Sequence, residues 1–365
     1  MRFMKDIGAR VFVFLALACS AFFPAACSAQ TDLNSGQAFE TGEHWTWGTS
    51  DEIIERNAVI GAVKTALFKE DFARLDALEV EYRGPNGAFP SGGSKLALYY
   101  QQLMYEIGTS RHQTPDRCAV GGKALLDKWQ AVSAKAPAPV IILAGLIQDS
   151  AWCYRGGGTA ETVAQDSWKP FLANIEAALS LLKKHKATAS TDPEYYAQLV
   201  SLAIVQDTSH EDFEKLLNEA SARFPYYYEI YYAAYRYYQP QWHGSMAEID
   251  QFAHHVVEKT SARDGTSGYF RLYFNMALCR CFKDMDAMDW PTMKIAMTDL
   301  AERYPNDFTY LRIAQLACVR GKGDEAVTYL AKVTVNDPVA WTKKDWDWCR
   351  QIVGPSKLPF PPQTH

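Results

Sequence analysis

The chain has 365 residues, a formal net charge of −5 and 13% aromatic residues. Nucleic-acid binding needs a basic face, and the charge pattern provides none, so no nucleic-acid partner is expected. Six cysteines follow residue 30, without a CxxC pair or a Cys/His cluster of zinc spacing. The sequence therefore predicts a globular protein without a metal site or another cofactor.

Residues 1–29 have the three-part layout of a secretory signal peptide. Arg2, Lys5 and Arg10 are basic, residues 11–23 are almost wholly apolar, and small residues precede a cleavage site after Ala29. The apolar run is shorter than the ~20 residues that span a bilayer, so no transmembrane helix is expected. The sequence predicts an exported protein, periplasmic or secreted.

Two cysteines in this segment leave a lipid anchor open as an alternative. Cys19 and Cys27 each follow small residues, as an acylated cysteine would, but neither has Leu three positions earlier. Export also permits disulfides. Cys118 and Cys153 flank one expected helical hairpin, and they form the disulfide that we predict.

Residues 30–48 are a polar leader, whose end is expected to pack because it carries Trp45 and Trp47. The pattern beyond is helical. Thr49 with Glu52, and Thr208 with Glu211, have capping-box spacing before apolar runs and predict two helix starts. Further helices are predicted at 70–83, 95–108, 119–134, 138–155, 161–186, 192–206, 226–239, 246–261, 268–283, 290–304, 309–320, 324–333 and 341–353. Short links make sequential helices antiparallel neighbours.

A motif that occurs twice in the sequence predicts that these helix pairs stack as repeats. Residues 223–225 and 303–305 each close a helix with Arg, an aromatic residue and Pro, 80 residues apart. Two helix pairs of about 40 residues fill that interval, a length close to that of tetratricopeptide-like repeats. The sequence therefore predicts an all-α, irregular, tetratricopeptide-like α-solenoid, in which residues 286–365 continue the repeats and a concave face binds ligands.

Several motifs also resemble one bacterial family. They are Ala151-Trp152-Cys153-Tyr154-Arg155-Gly156-Gly157-Gly158, Trp168 with Phe171, Asp192-Pro193, Phe224-Pro225-Tyr226, and Pro240-Gln241-Trp242-His243-Gly244-Ser245 before Phe252-Ala253. In this order they resemble the bacterial domain of unknown function 4034, over roughly residues 70–285 within a helical domain at 49–285. The resemblance implies a helical, tetratricopeptide-like domain and no established activity.

The first candidate site is the stretch that leads into three glycines. Its residues are Trp152, Tyr154, Arg155, Gly156 and Gly157. As structure, the glycines end a helix and Arg155 complements the negative end of its dipole. As function, the glycines let a ligand approach the backbone, and Arg155 offers a planar fork to a carboxylate or phosphate.

The second candidate site lies in the Tyr-rich segment 226–245. Tyr231 and Tyr235 belong to one helical stripe, and Trp242, His243 and Ser245 follow in a turn. Tyrosines wedged between stacked helices are the structural interpretation. Tyr and Trp surfaces also suit sugars or peptides, so these five residues are candidate ligand contacts.

The sequence favours a protein that binds a protein, peptide or envelope-derived ligand, and it is not predicted to be an enzyme. HExxH and GxSxG motifs are absent. The alternative is a hydrolase of a cell-envelope glycan or peptide, in which Asp149, Glu161 and Asp166 around the glycine turn supply a carboxylate pair.

Overall fold

A computed structural model describes residues 46–108, 116, 118–206, 208–279, 281–337, 339–341 and 343–353. The expected signal peptide, both of its cysteines and residues 30–45 of the leader lie outside the described residues, as does the segment 354–365. Among the described helices, none is long and apolar enough to cross a membrane.

Two short strands and sixteen α-helices make up the regular structure of the described residues. The strands are β1 (Thr46–Trp47) and β2 (Val335–Asn336). The helices are α1 (Asp51–Phe68), α2 (Phe72–Arg83), α3 (Lys95–Gly108), α4 (Lys123–Val132), α5 (Ala138–Arg155), α6 (Trp168–Lys184), α7 (Lys186–Ala189), α8 (Pro193–Val205), α9 (His210–Arg223), α10 (Glu229–Ala234), α11 (Met246–Asp264), α12 (Ser267–Leu278), α13 (Trp290–Arg303), α14 (Asp307–Val319), α15 (Gly323–Leu330) and α16 (Lys343–Val353).

The helices stack in two layers, which confirms the all-α fold and its solenoid-like helix pairs. Helices α3, α5, α8, α10, α12 and α14 form the first layer, in which each helix contacts the next. The helices between them in sequence pack mainly against first-layer partners. Because each hairpin reverses the chain, first-layer helices run parallel and their ends line up along two edges of the layer.

Both predicted capping boxes are wrong in their details. Helix α1 begins after Ser50, whose backbone N–H and Oγ both donate to Asp337 Oδ2 at 2.7 and 3.0 Å. Glu52 is buried rather than turned back to cap. Helix α9 begins after Ser209, one residue later than expected, because Ser209 Oγ accepts the N–H of Asp212. The start of α1 depends on the long-range contact of Ser50 with Asp337. At α9, Thr208 and Ser209 are both hydroxyl residues that could act as the N-cap, and the sequence pattern did not distinguish them.

Two predicted helices are in part 3-10 turns rather than α-helix. In the segment 161–186 the α-helix begins only at Trp168, after two 3-10 turns at residues 160–162 and 165–167. In the segment 226–239 the α-helix ends at Ala234 and continues as a 3-10 turn over residues 235–238. This change of pitch places Arg236 just beyond the end of α10.

The repeated Arg-aromatic-Pro motif is also a structural repeat. Helices α9 and α13 both end at the Arg of their motif, Arg223 and Arg303. The aromatic residue that follows has nearly the same backbone conformation in both, with φ −135° and ψ 60° at Phe224 and φ −130° and ψ 63° at Tyr304. The motif therefore fixes the same turn between a second-layer helix and the next first-layer helix.

The two ends of the described chain meet. Strand β1 pairs in parallel with β2, Thr46 opposite Val335 and Trp47 opposite Asn336. This pairing confirms that the end of the leader packs on the body of the protein. Elsewhere, Asn306 Nδ2 donates to the carbonyl of Pro90, which joins the loop before α3 to the start of α14.

The predicted disulfide is present between Cys118, ahead of α4, and Cys153 in the last turn of α5, with Cα atoms 5.4 Å apart. It ties the start of this hairpin to its end, as expected. A second disulfide joins Cys318 in α14 to Cys349 in α16, a pair that the sequence did not single out.

Candidate functional site

The glycine turn ends α5 as expected. Gly156 has φ 73°, in the region that favours glycine, and its N–H donates to Trp152 O at 2.8 Å. Arg155 Nη1 donates to the carbonyls of Gly156 and Gly158 at 3.1 and 3.0 Å. Arg155 thus holds the turn in shape, while Gly156 and Gly157 themselves are exposed.

Three aromatic rings surround the Arg155 side chain. Its guanidinium carbon lies 5.3 Å from the ring centroids of Trp152 and Trp168 and 5.9 Å from that of Phe171. Burial lowers the pKa of the guanidinium from its usual value. These contacts connect the end of α5 with the start of α6, so the partly exposed Arg155 side chain stabilises the turn.

Tyr154 anchors the turn to the segment before the disulfide. Its hydroxyl donates to the carboxylate of Asp116. This hydrogen bond is the main cause that lowers the pKa of Asp116 and raises the pKa of Tyr154. The hydroxyl therefore has a structural partner beside Cys118.

The Arg236 side chain lies close to one aromatic ring from each of the two candidate sites. Its guanidinium carbon lies 5.9 Å from the ring of Trp152 in α5 and 6.0 Å from the ring of Trp242, in the turn after α10. The side chain keeps some exposed surface, yet burial lowers its pKa because the surrounding protein replaces the water that hydrates the charge. A dehydrated guanidinium binds an anion more strongly than a hydrated one.

Glu229 lies two helical turns before Arg236, with Tyr232 between them on the same side of α10. Its carboxyl makes no hydrogen bond or ion pair with any residue that the structure describes. Burial, and then the nearby Glu194, raise the pKa of Glu229 to about 8. Glu229 and Arg236 act on one common neighbour, since the pKa of the Cys279 thiol, raised mainly by burial, is lowered by Arg236 and raised further by Glu229.

We call Trp152, Glu229, Tyr232, Arg236 and Trp242 the Arg236 recess. All five side chains are partly exposed. Trp152 and Trp242 contact Arg236 just beyond the end of α10, and Tyr232 and Glu229 follow on the same side of α10 towards its start. A cation, a carboxyl group that is largely neutral at pH 7 and three aromatic faces can together hold a small ligand with polar ends.

Two of the predicted contacts are core residues. Tyr231 is 0% exposed and Tyr235 is 1% exposed. The hydroxyl of Tyr231 donates to the carbonyl of Pro225, and that of Tyr235 to Cys281 Sγ. Their stripe packs between helices, so the structural interpretation holds for both and neither enters the recess.

The turn 242–245 is shaped mainly by local structure. His243 is exposed, stacks on Tyr237 at 4.5 Å, and has Nε2 3.4 Å from the carbonyl of Ile204. A Cβ on Gly244 would lie 2.3 Å from Tyr238 O, so only glycine fits there. Ser245 begins α11 as its N-cap, accepting the N–H of Glu248. Of this turn, Trp242 alone reaches the recess.

The carboxylates of the hydrolase alternative lie on both sides of the glycine turn. Glu161 and Asp166 are exposed on the two 3-10 turns after the glycines, and Asp149 is half-buried in α5. No group of three metal-ligating side chains occurs in the part of the chain that the structure describes.

A second Arg and carboxylate pair shows what such groups can hold. Ser91, in the loop before α3, donates its N–H to Glu52 Oε2 at 2.9 Å, and its carbonyl accepts from Arg271 Nη2 at 2.8 Å. Arg271 lies over the rings of Tyr228 and Tyr304, at 5.2 and 5.0 Å. We call Glu52, Ser91 and Arg271 the Ser91 clamp.

Sequence reasoning missed Arg236 and Glu229. They are the only charged residues in the segment 226–239, which otherwise consists of Tyr, Ile, Ala and one Gln. An isolated acid and an isolated base, seven positions apart in an apolar helix, are the signal that could have found them, because a buried charge needs a reason. The pattern did not show which way they face.

Comparisons with protein-family models, with curated proteins and with solved structures found no match to this chain. The resemblance to the bacterial domain of unknown function 4034 therefore stays a prediction.

Proposed function

We propose that this is an exported helical-repeat protein that binds a peptide, or a peptide-like ligand of the cell envelope, with an anionic group in the Arg236 recess. The resemblance to the bacterial domain of unknown function 4034 is part of this proposal and implies the same helical architecture. The expected signal peptide is the basis for export.

The observation that carries the proposal is the position of Arg236 between two indole rings. Trp152 and Trp242 come from distant parts of the chain and converge on one guanidinium that burial has dehydrated. Such a group favours a carboxylate or phosphate, while the indole faces favour apolar or planar parts of the same ligand. Arg155, three residues from Trp152, adds a second cation near this position.

The Ser91 clamp supports a peptide rather than a sugar as the ligand class. There, a carboxylate and an arginine that lies over two aromatic rings hold the N–H and the C=O of one residue. The Arg236 recess contains the same three kinds of group. A backbone that offers N–H and C=O groups is complementary to both places.

The test is calorimetric binding of short N-acetylated peptides with a free carboxyl end, each compared with its C-amidated form. We expect amidation and Arg236→Gln each to weaken binding by tenfold or more, about the loss of one charge-assisted hydrogen bond. Arg223→Gln is the matched control, since Arg223 also lies over two aromatic rings but is exposed on α9. Equal affinities for wild type and Arg236→Gln would refute the proposal.

Export is tested separately by mass spectrometry of the protein from a periplasmic fraction. A mature chain that begins at Gln30, with the Cys118–Cys153 disulfide intact, is the expected result. An acylated Cys19 or Cys27 would establish the lipoprotein alternative, and an unprocessed chain in the cytoplasm would contradict export.

A further inference from the structure

Glu229 has no role in binding an anion, yet it lies in the same recess as Arg236. Its carboxyl keeps accessible surface and has no hydrogen-bond or ion-pair partner among the described residues. A polar group enclosed by protein without a partner is costly, and such groups are concentrated at functional sites.

The spacing of Glu229 and Arg236 sets the size of a ligand that touches both. Seven positions along α10 and its 3-10 extension correspond to roughly 10–12 Å between Cα atoms. Side chains and hydrogen bonds bridge part of that distance, which leaves a length of two or three extended residues at ~3.3 Å each. Tyr232 lies between the two groups and provides a face for the middle of the ligand.

The Ser91 clamp indicates which end of such a ligand would face each group. In the clamp the carboxylate of Glu52 accepts an N–H and Arg271 donates to a C=O, on either side of one residue. In the recess the carboxyl group is Glu229 and the arginine is Arg236. The matching ligand offers a nitrogen donor at one end and an oxygen acceptor at the other.

We propose that the Arg236 recess binds a short zwitterionic peptide, whose ammonium group pairs with Glu229 and whose carboxylate pairs with Arg236. This inference rests on the proposed function, because it uses the same arginine, and it adds the second charge and the length of the ligand. Both ends gain a charged partner inside a site with little water, where such pairs are strong.

Proton release accompanies binding. Glu229 has a pKa of about 8 and is mostly protonated at pH 7, so pairing with an ammonium converts it to the carboxylate and releases up to one proton. Glu194 on α8 raises the pKa of Glu229. Glu229 in turn raises the pKa of three groups near it, Tyr227 ahead of α10, Tyr232 in α10 and Cys279 after α12. Arg236 lies two turns further along the same side. Glu194 has its own partners in Tyr227 and Gln198, whose side chains donate to it.

The experiment is calorimetry at pH 7 with trialanine, N-acetyl-trialanine and trialanine amide, in two buffers of different ionisation enthalpy. We expect wild type to bind trialanine at least tenfold more tightly than either blocked form and to release a proton with it. Glu229→Gln should abolish the preference for the free amine and the proton release, while it keeps the preference for the free carboxylate. Glu161→Gln, a change in an exposed acid of the glycine turn, should behave as wild type.

The outcomes separate this inference from the proposed function. If trialanine and N-acetyl-trialanine bind equally and no proton is released, the zwitterion is wrong, although carboxylate binding at Arg236 stands. If Glu229→Gln retains the preference for the free amine, Glu229 is not its partner and the inference fails. If no form of trialanine binds, the inference is overturned, and the longer peptides of the preceding experiment decide the proposed function alone. Thermal melting of each variant checks that it is folded.

Discussion

The Ser91 clamp and the Arg236 recess use the same kinds of group at two places along one layer of helices. Arg271 lies over Tyr228, which precedes α10, whereas Arg236 follows the end of α10. Each arginine lies over two aromatic rings. Each region also has a carboxyl group, Glu52 across Ser91 from Arg271 and Glu229 two turns before Arg236. The two regions differ in whether the carboxyl group has a hydrogen-bond partner among the described residues.

In the Ser91 clamp, the residue held between the carboxylate and the arginine is Ser91 of the chain itself. Glu52 is 1% exposed and accepts from Arg56 at 2.7 and 2.8 Å as well as from the N–H and Oγ of Ser91. Glu229, by comparison, has no partner in the described part of the chain, and its pKa is raised to about 8. A carboxylate with hydrogen-bond partners stabilises the fold, whereas one without partners in a dehydrated place costs stability.

The largest expected effect is in the clamp. Glu52→Ala should lower the free energy of unfolding by about 3–5 kcal/mol, because it leaves Arg56 and the Ser91 N–H without their buried acceptor. Glu229→Ala should change it by less than about 1 kcal/mol, since no described contact is lost. Urea unfolding followed by circular dichroism measures both. Equal losses would show that the two carboxyl groups have the same structural role.

The disulfide beside the recess should come next. Replacing Cys118 and Cys153 by Ser should cost about 2–4 kcal/mol, since the bond closes a loop of 35 residues in the unfolded chain. It should also weaken ligand binding, because the bond fixes the end of α5 that carries Trp152. Urea unfolding and the calorimetric assay test these two effects separately. A double variant with wild-type affinity would show that α5 is held by its packing alone.

Trp152 tests whether the recess is also part of the core. Trp152→Ala should cost about 2–3 kcal/mol, less than for a wholly buried indole because the ring is partly exposed. Trp152→Phe should cost less than about 1.5 kcal/mol, since Trp152 Nε1 has no hydrogen-bond partner to lose. Thermal and urea unfolding compare the pair. A large loss in Trp152→Phe would reveal an essential contact of the indole N–H.

Arg155→Ala should have the smallest effect. It removes two hydrogen bonds to the glycine turn at a partly exposed position, worth about 0.5–1 kcal/mol together. Binding should weaken less than in Arg236→Gln, because Arg155 is not part of the recess. Unfolding in urea and calorimetry with the same peptides measure the two effects. If Arg155→Ala abolishes binding and Arg236→Gln does not, the anion site lies at the glycine turn instead.

Local patterns in the sequence predicted much of the fold. Helices α3 and α5 have the predicted bounds, 95–108 and 138–155, because breakers flank a strong helical pattern. The repeat of Arg, aromatic and Pro predicted two equivalent turns, and export predicted a disulfide that the structure contains. The candidate site was only partly predictable. Trp152 and Trp242 were named, but Tyr231 and Tyr235 proved to be core residues.

The sequence by itself determined the helices, most of their ends, the glycine that stops α5 and the pairing of Cys118 with Cys153, because these depend on spacing along the chain and on local backbone conformation. Only the tertiary structure decided which charged groups are satisfied. Ser91 reaches Glu52 and Arg271 across 39 and 180 residues, and Trp152 meets Arg236 only because α5 and α10 end at the same edge of the layer. Contacts between distant segments have no periodicity in sequence, so packing alone fixes whether a carboxyl group has a hydrogen-bond partner elsewhere in the chain.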